Sequence, residues 1–118
     1  MKIAITAKKN GSIFELDKRF GRAEKFILFD GSPEFEEIDN TLNLNAAQGA
    51  GIQSAENIIE SGAEVLITGH VGPKAFKVLN SAGIKIYCAK CDTVAEALTQ
   101  YKNGELEQAL TNDVEGHA

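Results

Sequence analysis

Two short apolar runs, residues 64–68 (EVLIT) and 84–87 (IKIY), constrain this chain more than any other feature. Each is too short for a buried helix, and each is followed by a turn and a segment of helical period, so both read as parallel strands. A strand, a crossover helix and a second strand of this length make a right-handed βαβ unit. That handedness puts the two post-strand loops at the same edge of the sheet. The loops are Gly69-His70-Val71-Gly72 and Cys88-Ala89-Lys90-Cys91, and they hold both cysteines and one of the two histidines. Ligands of open α/β sheets sit beyond the carboxyl ends of strands, so the search for a site starts there.

The rest of the chain supplies partners for that unit. Residues 2–7 (KIAITA) alternate, with Ile3 and Ile5 on one face, and form strand one. Residues 8–22 are polar and glycine-punctuated, which predicts a surface loop beside strand one. Residues 25–30 (KFILFD) end in the turn signal Gly31-Ser32-Pro33 and are followed by the acidic residues 34–40 (EFEEIDN). This predicts a hairpin whose second arm is a charged edge strand. Ile52, Ala55, Ile58 and Ile59 give a helix closed by Gly62. Pro73, Phe76 and Leu79 give a second, stopped by Gly83, and Thr93 with Glu96 fits a capping box opening a third. Residues 105–110 are expected to extend that third helix by a turn or two, and residues 111–118 to fray. The expectation is one α/β domain over residues 1–110, with a five-stranded mixed sheet in the order 3-2-1-4-5, strand 2 antiparallel, and helices on both faces.

With 118 residues the chain can bury a core without staples. Two cysteines three apart do not make a disulfide framework, and no apolar run approaches a membrane span; the expected location is the reducing cytosol. Seventeen acidic residues against twelve basic ones, a net charge of -5, carry the wrong sign for neutralising phosphates. With no Trp there is also little to stack bases on, so neither nucleic acid nor membrane is an expected partner.

Four ordered motifs together resemble the dinitrogenase iron-molybdenum cofactor biosynthesis family, which includes NifX-like proteins and the C-terminal domain of NifB-like proteins. They are Asp17-Lys18-Arg19-Phe20-Gly21-Arg22-Ala23, Gly49-Ala50-Gly51-Ile52, Gly69-x-x-Gly72-Pro73-Lys74-Ala75 and Gly83-Ile84-x-Ile86-Tyr87. The resemblance implies a ribonuclease H-like fold and a small protein that carries iron-sulfur or molybdenum-containing clusters, working with cofactor-assembly proteins. It also implies cofactor contacts at Arg19, Phe20, Gly21, Arg22, Gly49, Gly51, Gly69, His70 and Gly72. Nitrogenase-associated members often have His immediately before the Phe-Gly pair, where this chain has Arg19. Arginine has no lone pair to give a metal, but its guanidinium can hydrogen-bond the sulfides or oxo groups of an anionic cluster.

Several residues keep two readings. Cys88-x-x-Cys91 has the spacing to chelate one soft metal such as zinc or copper, with His70 as a third ligand. Alternatively it is a redox dithiol, Cys91 being activated by the helix that follows it, or a pair of ordinary packed thiols. His70 is either a ligand-contacting residue or a solvated loop histidine. The glycines either offer backbone N–H groups to an anion at two helix N-termini or only serve turn geometry. His117 lies in the tail. Asp17, Asp30 and Glu34 read as solvated charge, and no triad order is evident, so the chain is expected not to be an enzyme. The reading is a non-catalytic carrier of an anionic cluster. Its alternatives are a redox or zinc module at Cys88 and Cys91, or a protein-interaction domain without ligand.

Overall fold

The computed structural model describes residues 2–31, 34–40 and 50–109. In chain order the elements are β1 (Ile3–Asn10), β2 (Ile13–Leu16), β3 (Lys25–Phe29), β4 (Phe35–Asp39), α1 (Ala50–Glu60), β5 (Val65–Thr68), α2 (Pro73–Ser81), β6 (Lys85–Cys88), α3 (Val94–Lys102) and β7 (Glu107–Gln108). They build one mixed sheet in the order β4-β3-β1-β5-β6-β7, with β2 also paired to β1. β1 is central: it runs antiparallel to β3, with Ile5 opposite Ile27, and parallel to β5, with Ile5 opposite Ile67. Parallel pairing continues from β5 to β6, where Thr68 lies opposite Cys88.

Period-two alternation sorts the side chains into two cores. Ala4, Leu28, Leu66 and Ile86 face α1 and α2, whose Ala55, Ile58, Ala75 and Leu79 complete the first core. Ile3, Ile5, Ile27, Val65 and Ile67 face α3, which contributes Val94 and Ala97 to the second. Burial on both faces explains why β5 reads as a nearly continuous apolar run. The helical spacing of α1 is only partly spent on the core, because Ile59 is 37% exposed. The capping box is present: Thr93 Oγ1 accepts from the Glu96 N–H while the Glu96 carboxylate accepts from the Thr93 N–H. Gly62 and Gly83, at φ +83 and +82, end α1 and α2 in a conformation that costs other residues a steric penalty.

The sheet has seven strands, not the five expected, and both additions come from segments read otherwise. Residues 8–22 are not simply a loop. β1 continues to Asn10, turns at Gly11 (φ +66) and returns as β2, with Ala7 opposite Leu16 and Asn10 opposite Ile13. Asn-Gly is a hairpin signal, but the returning strand is only four residues long and its Ile13 is exposed, so its hydrophobic pattern is weak. Residues 105–110 do not prolong α3. Gly104 at φ +73 stops that helix, and the chain reverses as β7 to pair antiparallel with β6. The Ser32-Pro33 turn, Gly49, the expected tail and His117 lie outside the described residues.

Candidate functional site

The carboxyl edge of the sheet, where the two post-strand loops emerge, is occupied by the chain's own β2 and the residues after it. Leu16 N donates to Asp92 O (2.9 Å), Asp17 N to Thr6 O (3.0 Å), His70 N to Lys18 O (3.0 Å) and Phe20 N to His70 O (3.4 Å). Arg19 and His70 are thereby partners in a parallel bridge. The two backbones lie so close that a Cβ on Gly69 would stand 2.5 Å from Lys18 Cα. Gly69 is thus required by close approach of two chains.

Under this crossing lies a polar cluster that hydrophobic patterning does not show. Thr6, Thr68 and Asp17 are all buried. The Thr6 hydroxyl donates to Asp17 O (2.6 Å), and its single proton being so used, Thr68 Oγ1 at 2.8 Å is the donor to Thr6. The Asp17 carboxylate accepts from Arg19 N (3.1 Å) and from Arg19 Nε (3.3 Å). Arg19, expected as an anion donor, is therefore committed on one edge of its guanidinium to a buried carboxylate. The Asp-x-Arg spacing was the available signal for this pair; reading Asp17 as solvated charge missed it.

Beyond Arg19 the segment turns inward. Phe20 is 2% exposed and stacks on Phe26 with centroids 5.9 Å apart. Ala23 O accepts from Asn40 Nδ2 (2.8 Å), and Asn40 Oδ1 accepts from Ser54 Oγ (3.3 Å) of α1. Asn40 and Ser54 are buried and tie the far end of this wall to α1, a role nothing in the sequence pattern marked. Between the wall and the starts of α1 and α2 opens a cleft of about 740 Å³, lined by Phe20, Gly21, Gly51, Ile52, Gly72, Pro73, Lys74 and Ala75. The first turns of both helices face it, and their N-terminal N–H groups favour negative charge. Among the described residues that line it, only Lys74 has a charged side chain.

The structure thus divides the expected contacts. Phe20, Gly21, Gly51 and Gly72 share the cleft. Arg19 instead borders a separate polar depression with Lys8, Glu15, Leu16, Asp17, Lys18 and Asp92. Gly69 and His70 form the crossing, with His70 exposed, and Arg22 is exposed on the turn after Gly21.

The ligand set His70, Cys88 and Cys91 is not assembled. Cys88 follows Ile86 by two in β6 and so takes the sheet face of the first core, whereas Cys91 packs against the second. Strand parity turns Cys88 to one face of the sheet, and the loop beyond the strand packs Cys91 on the other. Among the described residues no three His, Cys, Asp or Glu side chains are grouped to hold a metal ion. Nor is Cys91 an activated thiol: burial, followed by the Glu96 carboxylate, pushes its pKa up. That carboxylate, brought close by the capping box, opposes the expected effect of the helix N-terminus.

No helix among the described residues is long and apolar enough to cross a membrane. In solved structures this architecture recurs in the apo form of the orange protein from Desulfovibrio gigas, at 39% identity and a TM-score of 0.86 over 93% of each chain. A NifB-like protein from Thermotoga is 34% identical with a TM-score of 0.78 over 91% of each chain. An uncharacterized protein of Methanocaldococcus jannaschii is 32% identical over 111 residues, 92% of this chain and 91% of its own length. The family model described as dinitrogenase iron-molybdenum cofactor matches residues 1–104. With nearly the whole chain matched, the protein belongs to the dinitrogenase iron-molybdenum cofactor family.

Proposed function

We propose that this protein is a non-catalytic carrier for an anionic iron-sulfur or molybdenum-containing cluster, taken up and delivered within the cytoplasm in concert with cofactor-assembly proteins. The observation that carries the reading is the cleft, in which the starts of two helices, Lys74 and a wall otherwise uncharged among the described residues meet. A metal-sulfur anion suits such a place. Its sulfides are weakly hydrated and accept backbone N–H bonds, and the positive helix ends offset its charge without a metal-ligating side chain. Family membership and likeness to a protein solved in its apo form support the same reading. Carriage fits better than catalysis because, among the described residues, the cleft offers one titratable side chain, Lys74, and no base to pair with a nucleophile. We take β4-β3-β1-β5-β6 as a ribonuclease H-like scaffold to which β2 and β7 are additions.

Within this reading Phe20, Gly21, Gly51 and Gly72 enclose the cluster. Arg22 and His70, each exposed and next in sequence to a part of this wall or its loop, are the further contacts of the reading. Zinc or copper at Cys88 and Cys91 is disfavoured by their opposite faces. The test is anaerobic purification from the native host with metal and sulfide analysis, alongside binding of tetrathiomolybdate followed by its visible absorbance. Lys74→Glu should weaken uptake by roughly tenfold, one charge reversed at close range, while the fold is stabilised slightly because an acidic residue suits a helix start. Colourless, metal-free protein that also ignores the probe would overturn the proposal.

A further inference from the structure

Arg19 occupies the position at which the family resemblance implies a cofactor contact, yet its surroundings describe a different task. Its side chain is 60% exposed, but one edge of the guanidinium is turned to Asp17, whose side chain is only 3% exposed. A carboxylate so buried needs a partner, since leaving it unpaired costs more than the pair gains. Both main-chain ends of Asp17 are fixed as well, N–H on Thr6 O and C=O under the Thr6 hydroxyl. Arg19 itself is fixed through its backbone N–H to Asp17 and through its bridge to His70. The very next residues, Phe20 and Gly21, form the wall of the cleft. Arg19 does not line that cleft, and the depression it does line balances three cations (Lys8, Lys18, Arg19) against three carboxylates (Glu15, Asp17, Asp92), which makes a poor anion site.

We infer that Asp17 and Arg19 are a positioning pair: Arg19 acts by satisfying Asp17 and so holding the Phe20-Gly21 wall, and does not touch the bound cluster. The inference rests on the carrier reading only for what the wall encloses; the pairing and its effect on the wall stand without a ligand. A contact residue and a positioning residue differ in one respect. If Arg19 serves Asp17, its loss is repaired by removing the charge it compensates. If it touches the cluster, that second change repairs nothing.

The experiment compares the parent, Arg19→Ala, Asp17→Asn and the double variant. One readout needs no ligand: amide hydrogen exchange at Phe20, whose N–H donates to His70 O across the crossing. Arg19→Ala should speed that exchange by about tenfold and lower Tm, and the double variant should recover most of both. The second readout is the dissociation constant for tetrathiomolybdate. It should weaken by about tenfold in Arg19→Ala and return to within about threefold of the parent in the double variant. Recovered exchange with binding still lost would make Arg19 a contact and overturn the inference. Unchanged Phe20 exchange in Arg19→Ala would overturn it too, whatever the probe does. A parent that binds no probe counts against the carrier reading, and the exchange data then decide the positioning pair alone.

Discussion

Gly69→Ala tests the crossing at its tightest point. The added Cβ would lie 2.5 Å from the Cα, Cβ and carbonyl oxygen of Lys18, two of which are backbone atoms that cannot swing aside. Relief requires the 18–20 segment to move off the residue 69–70 backbone. Overpacking of this kind costs about 1–3 kcal/mol. If the segment separates, the bonds from His70 N to Lys18 O and from Phe20 N to His70 O are lost as well. At roughly 1 kcal/mol each, they bring the total to about 3–5 kcal/mol. For a domain of this size that is a fall in Tm of about 10 °C or more. Urea denaturation gives the free energy directly, and amide exchange at His70 and Phe20 reports whether the crossing has opened. Gly51→Ala is the matched control, because among the described residues its Cβ would meet only Ala75 Cβ, at an ordinary 3.5 Å, within a helix. There alanine should stabilise by about 0.5–1 kcal/mol. A loss below about 0.5 kcal/mol for Gly69→Ala, the size of an ordinary surface change, would refute the steric argument.

Two further outcomes follow from the cores and from the Cys91 thiol. Ile5 is fully buried at the centre of the sheet, so Ile5→Ala should cost about 2–5 kcal/mol by urea denaturation, and a cost under about 1 kcal/mol would contradict its central place. Burial and Glu96 raise the Cys91 pKa above its ordinary 9.0, so the unfolded chain ionises first as pH rises. The contribution of that thiol to stability is therefore complete below pH 9 and is lost as pH climbs through the raised value; Cys91→Ser should flatten this alkaline limb. Alkylation of Cys91 by iodoacetamide should show a midpoint above 9, and a midpoint below it would contradict the burial account.

The sequence by itself determined the elements that bury whole faces. β1, β5 and β6, the three described helices with their glycine stops, and the Thr93-Glu96 cap were all legible, because period and capping chemistry act within a few residues. The family resemblance put Phe20, Gly21, Gly51 and Gly72 among the candidate contacts, and the fold brings those four to one cleft. What the sequence could not decide is which carboxylate is buried, which glycine is crowded and where a strand-end thiol points. β2 owes its place to pairing with β1 and to the residue 92–93 loop, both distant in the chain, and β7 owes its place to the open edge of β6. Asp17 reads as any loop aspartate until Thr6, Thr68 and Arg19 close around it. Cys88 and Cys91 read as a chelating pair until strand parity turns Cys88 to one face and the following loop packs Cys91 on the other. In each case the deciding neighbour is supplied by another element, and long-range contact is the one thing that a local pattern of residues does not encode.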